Sequence, residues 1–364
     1  MNALAPTYSD ARGRVLAAAD SIGARRTSAV HPLVGLDDEE LAIDVAVVGA
    51  EDAPAAVVLV SGTHGVEGYT GSALQSHWME EHAATRPDDV AFILVHGLNP
   101  YGFSWVRRVN EDNVDLNRNF VDWSAGPPAN ERYGGVAALL VPESWHEDTQ
   151  RSTTERLLEE ASRVGFEKFQ EVVSAGQYGH PTGVFYGGTE PVWSHRWLVD
   201  ELPQIIPPSA RIGLIDLHTG LGSSGHGELI IHELPDTPGH QRAAEWWGEV
   251  RSMASGESVS AMLTGDWLGV IHEVLARHEV TAAALEFGTV DTISVLQALR
   301  ADAWLHAHGD PVADDAAMIR AQVRAAFASD ETEGWLDSVT ARFDEVVSAA
   351  VANLSSLATG RLTD

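Results

Sequence analysis

Residues 57–73, VVLVSGTHGVEGYTGSA, join an apolar segment directly to a glycine-rich turn that carries His64 and Glu67. The apolar half is typical of a buried strand in a parallel sheet, and open α/β sheets place their ligand sites at the carboxyl ends of such strands. An imidazole and a carboxylate three residues apart can both reach one metal ion from this turn, because the flanking glycines allow the backbone angles that it needs. A polar turn with a helix-capping glutamate is the alternative, so the interpretation depends on the rest of the chain.

Five apolar segments predict the strands of one sheet. They lie at residues 43–48, 56–61, 90–96, 211–217 and 281–287. Helical patterns alternate with them, at residues 8–22, 71–84, 155–174, 241–254 and 267–278. Because several of the apolar segments lack polar residues almost entirely, this alternation predicts an α/β fold: a mixed, largely parallel twisted sheet flanked by helices.

The sequence between residues 121 and 208 differs in character from the segments before it. It has little strand pattern and contains a charged helical stretch and the glycine- and aromatic-rich run GQYGHPTGVFYGGTEPVW. We interpret residues 121–208 as an insertion that packs over one edge of the sheet as an active-site lid, within a single domain that spans residues 1–364. Residues 291–364 are rich in alanine and acidic side chains and predict a C-terminal helical layer, with helices at 316–327 and 335–357.

The composition argues against several classes of site and partner. The 364 residues include no cysteine, so any metal ion must be held by His, Asp or Glu. Acidic residues outnumber basic ones 53 to 23, and the net charge of −30 disfavours binding to nucleic acid or to anionic membranes. No segment approaches the roughly 18 apolar residues of a membrane span, and the first residues lack the apolar core of a signal peptide, so the sequence predicts a cytoplasmic protein.

Two further residues with metal or acid–base chemistry lie in apolar strand segments. His218 ends the segment RIGLIDLH, and it is the leading candidate for a third ligand because a catalytic zinc ion commonly has three protein ligands and one open position. Glu286 lies in TAAALEFGT, where an unpaired carboxylate is costly unless it is paired, bound to a metal or catalytic. The alternatives are a histidine bonded to the backbone and a glutamate paired with an arginine.

A third group of candidates lies in the segment NPYGFSWVRRVNEDNVDLNRNF. It places Arg107, Arg108 and Arg118 close together in a chain that has few basic residues and only one lysine, Lys168. Guanidinium groups bind carboxylates and oxyanions through a planar fork, so arginines near a zinc site suit an anionic or oxyanion-forming substrate. Surface salt bridges are the alternative, and they are a stronger alternative for Arg107 than for Arg118, which sits between two asparagines.

Taken in chain order, these motifs resemble the zinc carboxypeptidase (M14-like) superfamily, which includes the aspartoacylase and succinylglutamate desuccinylase branch. The resemblance spans residues 40–290, and four separate motifs in the same order are far more specific than any one of them. The string GTHGVEGYTGSA is most similar to an uncharacterised bacterial branch of that superfamily, DUF2817. The resemblance therefore implies a zinc-carboxypeptidase-like version of the predicted α/β fold.

The same resemblance implies a metal centre with a defined set of residues. One Zn²⁺ ion would be held by His64, Glu67 and His218. Glu286 would be the general base that activates a water molecule. Asp115, in the segment DLNRNF, would orient the imidazole of His64, in agreement with the usual need of a metal-bound histidine for such a partner.

Three residues would act on the substrate if the resemblance holds. Arg108 would polarise the scissile carbonyl and stabilise its oxyanion, and Asn117 and Arg118 would hold the terminal carboxylate of the substrate. One part of the family pattern is missing, namely a tyrosine between the third ligand and the general base, since all six tyrosines lie at or before Tyr186. The residues that a lid or turn would bring in to fill this role are Tyr178, His180, Tyr186 and His226.

These observations lead to three hypotheses about function. The first is an amide-bond metallohydrolase of carboxypeptidase type, which removes a terminal residue from a peptide or peptide-like molecule. The second is a deacylase of small N-acyl amino acids, which would share the same zinc core. The third is a catalytically silent zinc-binding protein. In the first two, the partner is a small substrate with a free carboxylate, and the sequence indicates neither its side chain nor the oligomeric state of the protein.

Overall fold

The computed structural model describes residues 4–208, 210–256, 258, 263–329 and 331–359. The strands in these ranges form one sheet of eight: β1 (Arg25–Val34), β2 (Glu40–Val48), β3 (Ala55–Ser61), β4 (Val90–His96), β5 (Arg211–Ser224), β6 (Gly227–Ile231), β7 (Arg251–Ser252) and β8 (Val280–Gly288). The α-helices are α1 (Tyr8–Ser21), α2 (Gly68–Glu81), α3 (Pro100–Ser104), α4 (Ala137–Leu140), α5 (Glu147–Val164), α6 (Phe166–Ser174), α7 (Trp193–Asp200), α8 (Leu202–Ile205), α9 (Pro238–Trp247), α10 (Ile271–Val274), α11 (Thr292–His308), α12 (Ala316–Phe327) and α13 (Trp335–Thr359).

Four neighbouring strands, β4, β3, β5 and β8, are parallel and form the centre of the sheet, whose order is β1-β2-β4-β3-β5-β8-β6-β7. Antiparallel pairs join β1 to β2, β2 to β4 and β6 to β8, and β7 pairs parallel with β6. The predicted fold class, a mixed and largely parallel sheet flanked by helices, is confirmed. Because β3, β5 and β8 run in the same direction, their carboxyl ends meet at one edge of the sheet, where ligand sites of such folds lie.

The sheet is the middle layer between two apolar cores. Both β3 and β4 are buried at every position, and alternate side chains of a strand point to opposite faces. Leu59 of β3 packs in one core with Trp78 of α2 and Phe343 of α13. Val60, its neighbour in β3, packs in the other core with Trp197 of α7 and Ile271 of α10. Helices must therefore cover both faces, which explains why β3 is apolar from Ala55 to Val60.

A third apolar core joins helices from distant parts of the chain. It contains Leu157 of α5 and Phe169 of α6 together with Val295 of α11 and Phe327 of α12. The segment 121–208 thus contributes helices that pack against the helices that follow β8. Its interpretation as an inserted lid, and the division of the chain into one domain with a C-terminal layer, stay predictions.

All five predicted strands are present, as β2, β3, β4, β5 and β8, but the sequence does not predict β1, β6 and β7. Most side chains of β1 are exposed, on both faces of this edge strand, so the alternation that would reveal it is missing. The other two strands are short, and a two-residue strand such as β7 has no periodicity to detect. The missed strands all lie outside the parallel centre of the sheet.

Several helix predictions are wrong in extent. The predicted helix at 241–254 ends at Trp247, and residues 251–252 form β7 instead. The one predicted at 267–278 is reduced to a 3₁₀ turn and the short α10. The one predicted at 155–174 starts earlier and is divided at Gly165, whose φ of 93° no continuous helix allows. None of the described helices combines the length with the apolar character that a membrane crossing requires.

A buried ion pair ties α11 to the segment that follows α3. Nε of Arg107 donates to the carboxylate of Asp302, at 3.1 Å from Oδ1 and 3.0 Å from Oδ2. Arg107 also donates from Nη2 to Oδ1 of Asn113 at 2.9 Å. Since Arg107 is only 2% exposed, the alternative of a surface salt bridge is wrong for this residue. The pair lies inside the protein and joins two segments far apart in the chain.

We expect Arg107→Met to lower the free energy of unfolding by about 3–5 kcal/mol, because it leaves the carboxylate of Asp302 buried without its cation. The matched control Arg163→Met removes an exposed pair with Glu160 and should cost less than about 1 kcal/mol. Urea denaturation followed by circular dichroism measures both variants. Equal losses of stability would contradict the role given to the buried pair.

Candidate metal centre

The turn after β3 is shaped by close backbone contacts. Residues Gly65–Glu67 form a 3₁₀ turn that leads directly into α2. The amide of Gly65 donates to the carbonyl of Arg108 at 3.1 Å. A Cβ at Gly65 would lie 2.0 Å from the carbonyl carbon of Gly102, so only glycine allows the turn to approach α3 this closely. The turn therefore fixes the neighbouring His64 relative to the arginine-containing segment.

Three predicted ligand side chains converge at this edge of the sheet. Glu67 Oε1 lies 2.8 Å from His64 Nδ1, and Glu67 Oε2 lies 2.8 Å from His218 Nδ1. The two Nδ1 atoms are 3.2 Å apart. All three residues are buried, with exposed fractions of 3% or less. His64, Glu67 and His218 can therefore hold one metal ion.

The register of two parallel strands places a second carboxylate beside this group. His218 lies inside β5, not at its end as the sequence predicts, because β5 continues to Ser224. Its partner across the ladder is Glu286 of β8. Side chains at paired positions of neighbouring strands project from the same face of the sheet, so the pairing brings the Glu286 carboxylate next to the His218 imidazole.

The donor set fits a divalent metal ion in geometry and in charge. In a tetrahedral zinc site with bonds of about 2.0–2.1 Å, ligand atoms lie about 3.3 Å apart. The separations of 2.8–3.2 Å found here are close to that value. Five carboxylates contact the histidines or line the same cavity, against two guanidinium groups: Glu67, Asp115, Asp216, Asp266 and Glu286 against Arg108 and Arg118. This excess of acidic groups is what a bound cation would offset.

The pKa shifts reflect this excess of buried carboxylates. Burial raises the pKa of Glu67, but the adjacent imidazoles of His64 and His218 outweigh burial and lower that pKa below its usual range. Burial lowers the pKa of His218, but the carboxylates of Asp216 and Glu67 outweigh it and raise that pKa well above its usual value. The arrangement thus favours positive charge at its centre, which a protonated imidazole or a metal ion can supply.

Asp216 is a residue of this centre that the sequence analysis missed. Its Oδ2 lies 2.6 Å from Nε2 of His218 and accepts a hydrogen bond of 2.7 Å from the indole of Trp267. Its Oδ1 accepts a hydrogen bond of 2.8 Å from the hydroxyl of Thr63. Such a partner fixes the tautomer and the orientation of a metal-binding histidine. The available signal was the spacing Asp-x-His on one strand, which puts both side chains on the same face.

Asp115 lies beside His64, where the family resemblance expects it. Its Oδ1 is 3.3 Å from Nε2 of His64, but the two atoms do not form a hydrogen bond, and this Nε2 has no other partner among the described residues. Asp115 accepts hydrogen bonds from Nε of Arg108 at 2.9 Å and from the amide of Asn117 at 3.0 Å. Nη1 of Arg108 also donates to Oε1 of Glu67 at 3.3 Å. Arg108 therefore bridges the two carboxylates.

Glu286 makes no ion pair with an arginine in the part of the chain that the structure describes. Its Oε1 accepts a hydrogen bond of 3.0 Å from the amide of Leu221. Burial, reinforced by the nearby charge of Glu67, raises the pKa of Glu286 to about 7. A carboxylate with this pKa can both accept and release a proton near neutral pH, which is the property that general acid–base chemistry needs.

Arg118 is held in place by backbone carbonyls. Its Nε donates to the carbonyl of Ser174 at 3.0 Å, and its Nη1 donates to the carbonyl of Asn117 at 2.8 Å. The side-chain Oδ1 of Asn117 is buried and has no hydrogen-bond partner among the described residues. Arg118 and Asn117 both line the cavity that contains the two histidines. An unpaired buried amide oxygen at such a place is the kind of acceptor that a donor group of a ligand satisfies.

Phe185 packs against both guanidinium groups of the site. The centre of its ring lies 5.7 Å from Cζ of Arg108 and 5.4 Å from Cζ of Arg118. Its φ of 57° is in the left-handed region, which is strained for an aromatic residue. Strain of this kind persists only where the surrounding structure imposes it, and it is concentrated at functional sites.

A cavity of about 160 Å³ opens beside the three converging side chains. His64, His218, Arg108 and Glu286 form part of its polar wall. Most of the remaining wall is apolar and comes from α5, α6 and α11, with Leu157, Ala161, Phe169, Val173, Val295 and Leu299. The residues expected to fill the role of the missing tyrosine are not among those that line it: Tyr178, His180, Tyr186 and His226.

The architecture is carboxypeptidase-like. The chain matches the structure of bovine thrombin-activatable fibrinolysis inhibitor in complex with tick carboxypeptidase inhibitor, with a TM-score of 0.51 and 10% identity over 96% of this chain and 97% of that chain. Carboxypeptidase A from Helicoverpa armigera gives a TM-score of 0.46 and 13% identity, over 89% and 74% of the two chains. Succinylglutamate desuccinylase/aspartoacylase from Rhodobacter sphaeroides gives a TM-score of 0.40 and 16% identity, over 78% of this chain and 65% of that chain.

The family of the chain is defined by its sequence. The family model DUF2817, described as a protein of unknown function, matches residues 4–342, and the chain belongs to this family. The resemblance deduced from the turn after β3 is thereby confirmed. No protein of curated function matches the sequence.

We expect Asp216→Asn to weaken zinc binding about 10- to 100-fold, because the neutral amide no longer supports the His218 imidazole as a carboxylate does. Competition with a chromophoric chelator measures the affinity. The control Asp122→Asn changes an aspartate that lies on the surface and should leave the affinity unchanged. An Asp216→Asn protein with native affinity would show that this hydrogen bond has no part in metal binding.

Proposed function

We propose that the protein is a zinc-dependent hydrolase of amide bonds, of carboxypeptidase type, which removes a terminal residue from a peptide or peptide-like substrate held by its carboxylate. The observation that supports it is the convergence of His64, Glu67 and His218 next to a cavity that His64, His218 and Glu286 line. Two imidazoles and one carboxylate are a common ligand set of hydrolytic zinc. The proposal assigns the metal to these three ligands and the proton transfer to Glu286.

Glu286 acts as the general base in this proposal. It accepts a proton from the attacking water and passes it to the leaving amine, so that one residue serves both halves of the reaction. Zinc, when bound, supplies a Lewis acid that polarises the carbonyl and lowers the pKa of water. Among the described residues, Glu286 accepts one hydrogen bond, from the amide of Leu221 to Oε1, which leaves its second oxygen for this exchange.

Arg108 stabilises the negative charge that develops on the carbonyl oxygen. Its Nε and Nη1 are bound to Asp115 and Glu67, whereas its Nη2 makes no hydrogen bond to the described residues. The bound side of the guanidinium group fixes its position, and the free side is available to the oxyanion. A donor that is held in advance at such a place is worth about 3–4 kcal/mol in other hydrolases.

Arg118 and Asn117 hold the carboxylate of the substrate. All three nitrogens of the Arg118 guanidinium donate to the carbonyls of Ser174 and Asn117, which fix the group, and Nη1 and Nη2 each keep one further N–H for an anion. The side-chain NH2 group of Asn117 can donate a second hydrogen bond to the carboxylate, whereas its unpaired Oδ1 is an acceptor and would meet a donor of the substrate. The apolar wall from α5, α6 and α11 favours a substrate whose terminal residue has an apolar side chain, since burial of such a group in this cavity is favourable.

Two other functions are compatible with the same set of side chains. A deacylase of small N-acyl amino acids would use the same ligands and the same base, and would differ in accepting an acyl group in place of a peptide. A silent zinc-binding protein would bind the metal without turnover. Substrate length separates the first two functions, and the presence of turnover separates both from the third.

We expect the native protein to hydrolyse N-blocked dipeptides that have an apolar terminal residue, and we expect a chelator to abolish this hydrolysis. We also expect Glu286→Gln to reduce kcat at least about 100-fold, because the amide cannot accept the proton of water. Zinc content, measured by atomic absorption, should stay near that of the native protein. The panel includes N-acetyl and N-succinyl amino acids, whose exclusive cleavage would favour the deacylase. Zinc binding without cleavage of any compound would favour the silent protein, and full activity of Glu286→Gln would remove this residue from its role.

We expect Ala161→Leu to shift the preference from large to small terminal residues, because the added side chain fills part of the cavity. The ratio of kcat/KM for a phenylalanine-terminal substrate to that for an alanine-terminal one should fall about 10-fold or more, in line with the value of a few methylene groups in a tight pocket. Ser162→Leu, at the next and exposed position of α5, is the matched control and should not change the ratio. An unchanged ratio in Ala161→Leu would place the substrate side chain outside this cavity.

A further inference from the structure

A second group of metal-binding side chains lies where the end of α2 meets α13. His77 belongs to α2, His82 directly follows this helix, and Asp344 belongs to α13. These side chains are partly exposed, with side-chain exposed fractions of 14%, 39% and 30%, so an ion can reach them from solvent. Neither histidine has a part in the centre described above.

The three side chains point their ligand atoms at one another. Nε2 of His77 lies 3.1 Å from both carboxylate oxygens of Asp344, and Nε2 of His82 lies 3.1 Å from Oδ1. One ligand atom from each residue lies within 4.8 Å of the other two. Both imidazole nitrogens lie 3.1 Å from the same carboxylate oxygen. This distance is close to the separation of about 3.3 Å between two ligand atoms in a tetrahedral zinc site.

The end of α2 is what brings the two imidazoles together. On a regular α-helix, side chains five positions apart point about 140° away from each other, so His77 and His82 would not meet on a continuous helix. The helix ends at Glu81, and His82 has a φ of −116° that departs from the helical value. The two rings then lie 5.4 Å apart with an angle of 82° between their planes. A simple hydrogen bond between helices needs only one of these rings, whereas an ion uses both.

The surroundings favour a cation at this place. Glu80 and Glu81 line the same groove as the two histidines, and the whole chain has a net charge of −30. This field attracts small cations to the surface. Two imidazoles and one carboxylate suit zinc and neighbouring transition metals, and do not suit the all-oxygen preferences of calcium or magnesium.

We propose that His77, His82 and Asp344 form a second binding site for a transition metal ion of the Zn²⁺ class, which ties the end of α2 to α13. The ion bridges two helices that also meet through the apolar core below them, where Trp78 and Phe343 lie. The role of the site is structural, since it has no connection to the cavity of the candidate metal centre. The proposal is independent of the proposed hydrolase function.

Counting bound zinc in the full chain tests this site. The protein is stripped with a chelator, dialysed against zinc buffered at a submicromolar free concentration, and analysed by atomic absorption. We expect two ions per native chain, and one ion per chain for His82→Gln and for the isosteric Asp344→Asn. The control His146→Gln changes an exposed histidine outside both groups and should retain two ions.

A variant of the other centre makes the outcomes distinct. The double variant His64→Gln, Glu67→Gln should retain one ion, held by the second site, and should keep the rise in Tm that zinc gives through the bridge between α2 and α13. The second-site variants should lose that part of the rise, and circular dichroism verifies that they fold. One ion in the native chain, lost in the double variant and kept in His82→Gln, would overturn the second site alone. One ion lost in His82→Gln and kept in the double variant would support the second site and overturn the metal centre of the proposed function.

Discussion

Burial of charge at the carboxyl edge of the parallel strands is the constraint on which this structure depends. Glu67, Asp115 and Asp216 are all removed from water there, and a buried carboxylate is tolerated only when hydrogen bonds or opposite charges surround it. Each has such partners: imidazoles for Glu67, Arg108 for Asp115, and Thr63 for one oxygen of Asp216. The elements around the site are therefore positioned by the need to neutralise these groups, and the remaining negative charge favours a cation at this place.

The centre of the fold and much of the site could be predicted from the sequence, because their signals are local. The turn that carries His64 and Glu67 directly follows a strongly apolar strand, and the five predicted strands lie in predominantly apolar segments. The pairing of His218 with Glu286 could not be predicted, since it depends on the register between two strands far apart in the chain. The Asp-x-His spacing indicates that Asp216 shares a face with His218, but it does not reveal the contacts with Trp267 and Thr63, which come from distant parts of the chain.

The contribution of residues 121–208 to the site also lies outside what the sequence reveals. The carbonyl of Ser174 fixes Arg118, and the ring of Phe185 packs against the same guanidinium group. Neither residue has a chemistry that marks it as part of a site. Their importance comes from long-range packing: the strained backbone of Phe185 is held by its surroundings, and those surroundings include the arginine that it helps to place. A periodic pattern encodes a helix or a strand but not such a mutual dependence.

The use of arginine and not lysine at two buried positions has a structural explanation in the same terms. Arg118 and Arg300 are buried and bind mainly uncharged oxygens, Arg118 the carbonyl of Ser174 and Arg300 those of Leu139 and Leu140. Burial lowers the pKa of Arg300 to about 10, which still leaves the guanidinium charged at neutral pH. A lysine under the same desolvation would start from a lower pKa and would have three donors at one point instead of five along a planar fork. Where a cation must stay charged inside the protein and join several backbone segments, arginine is the residue that satisfies both conditions.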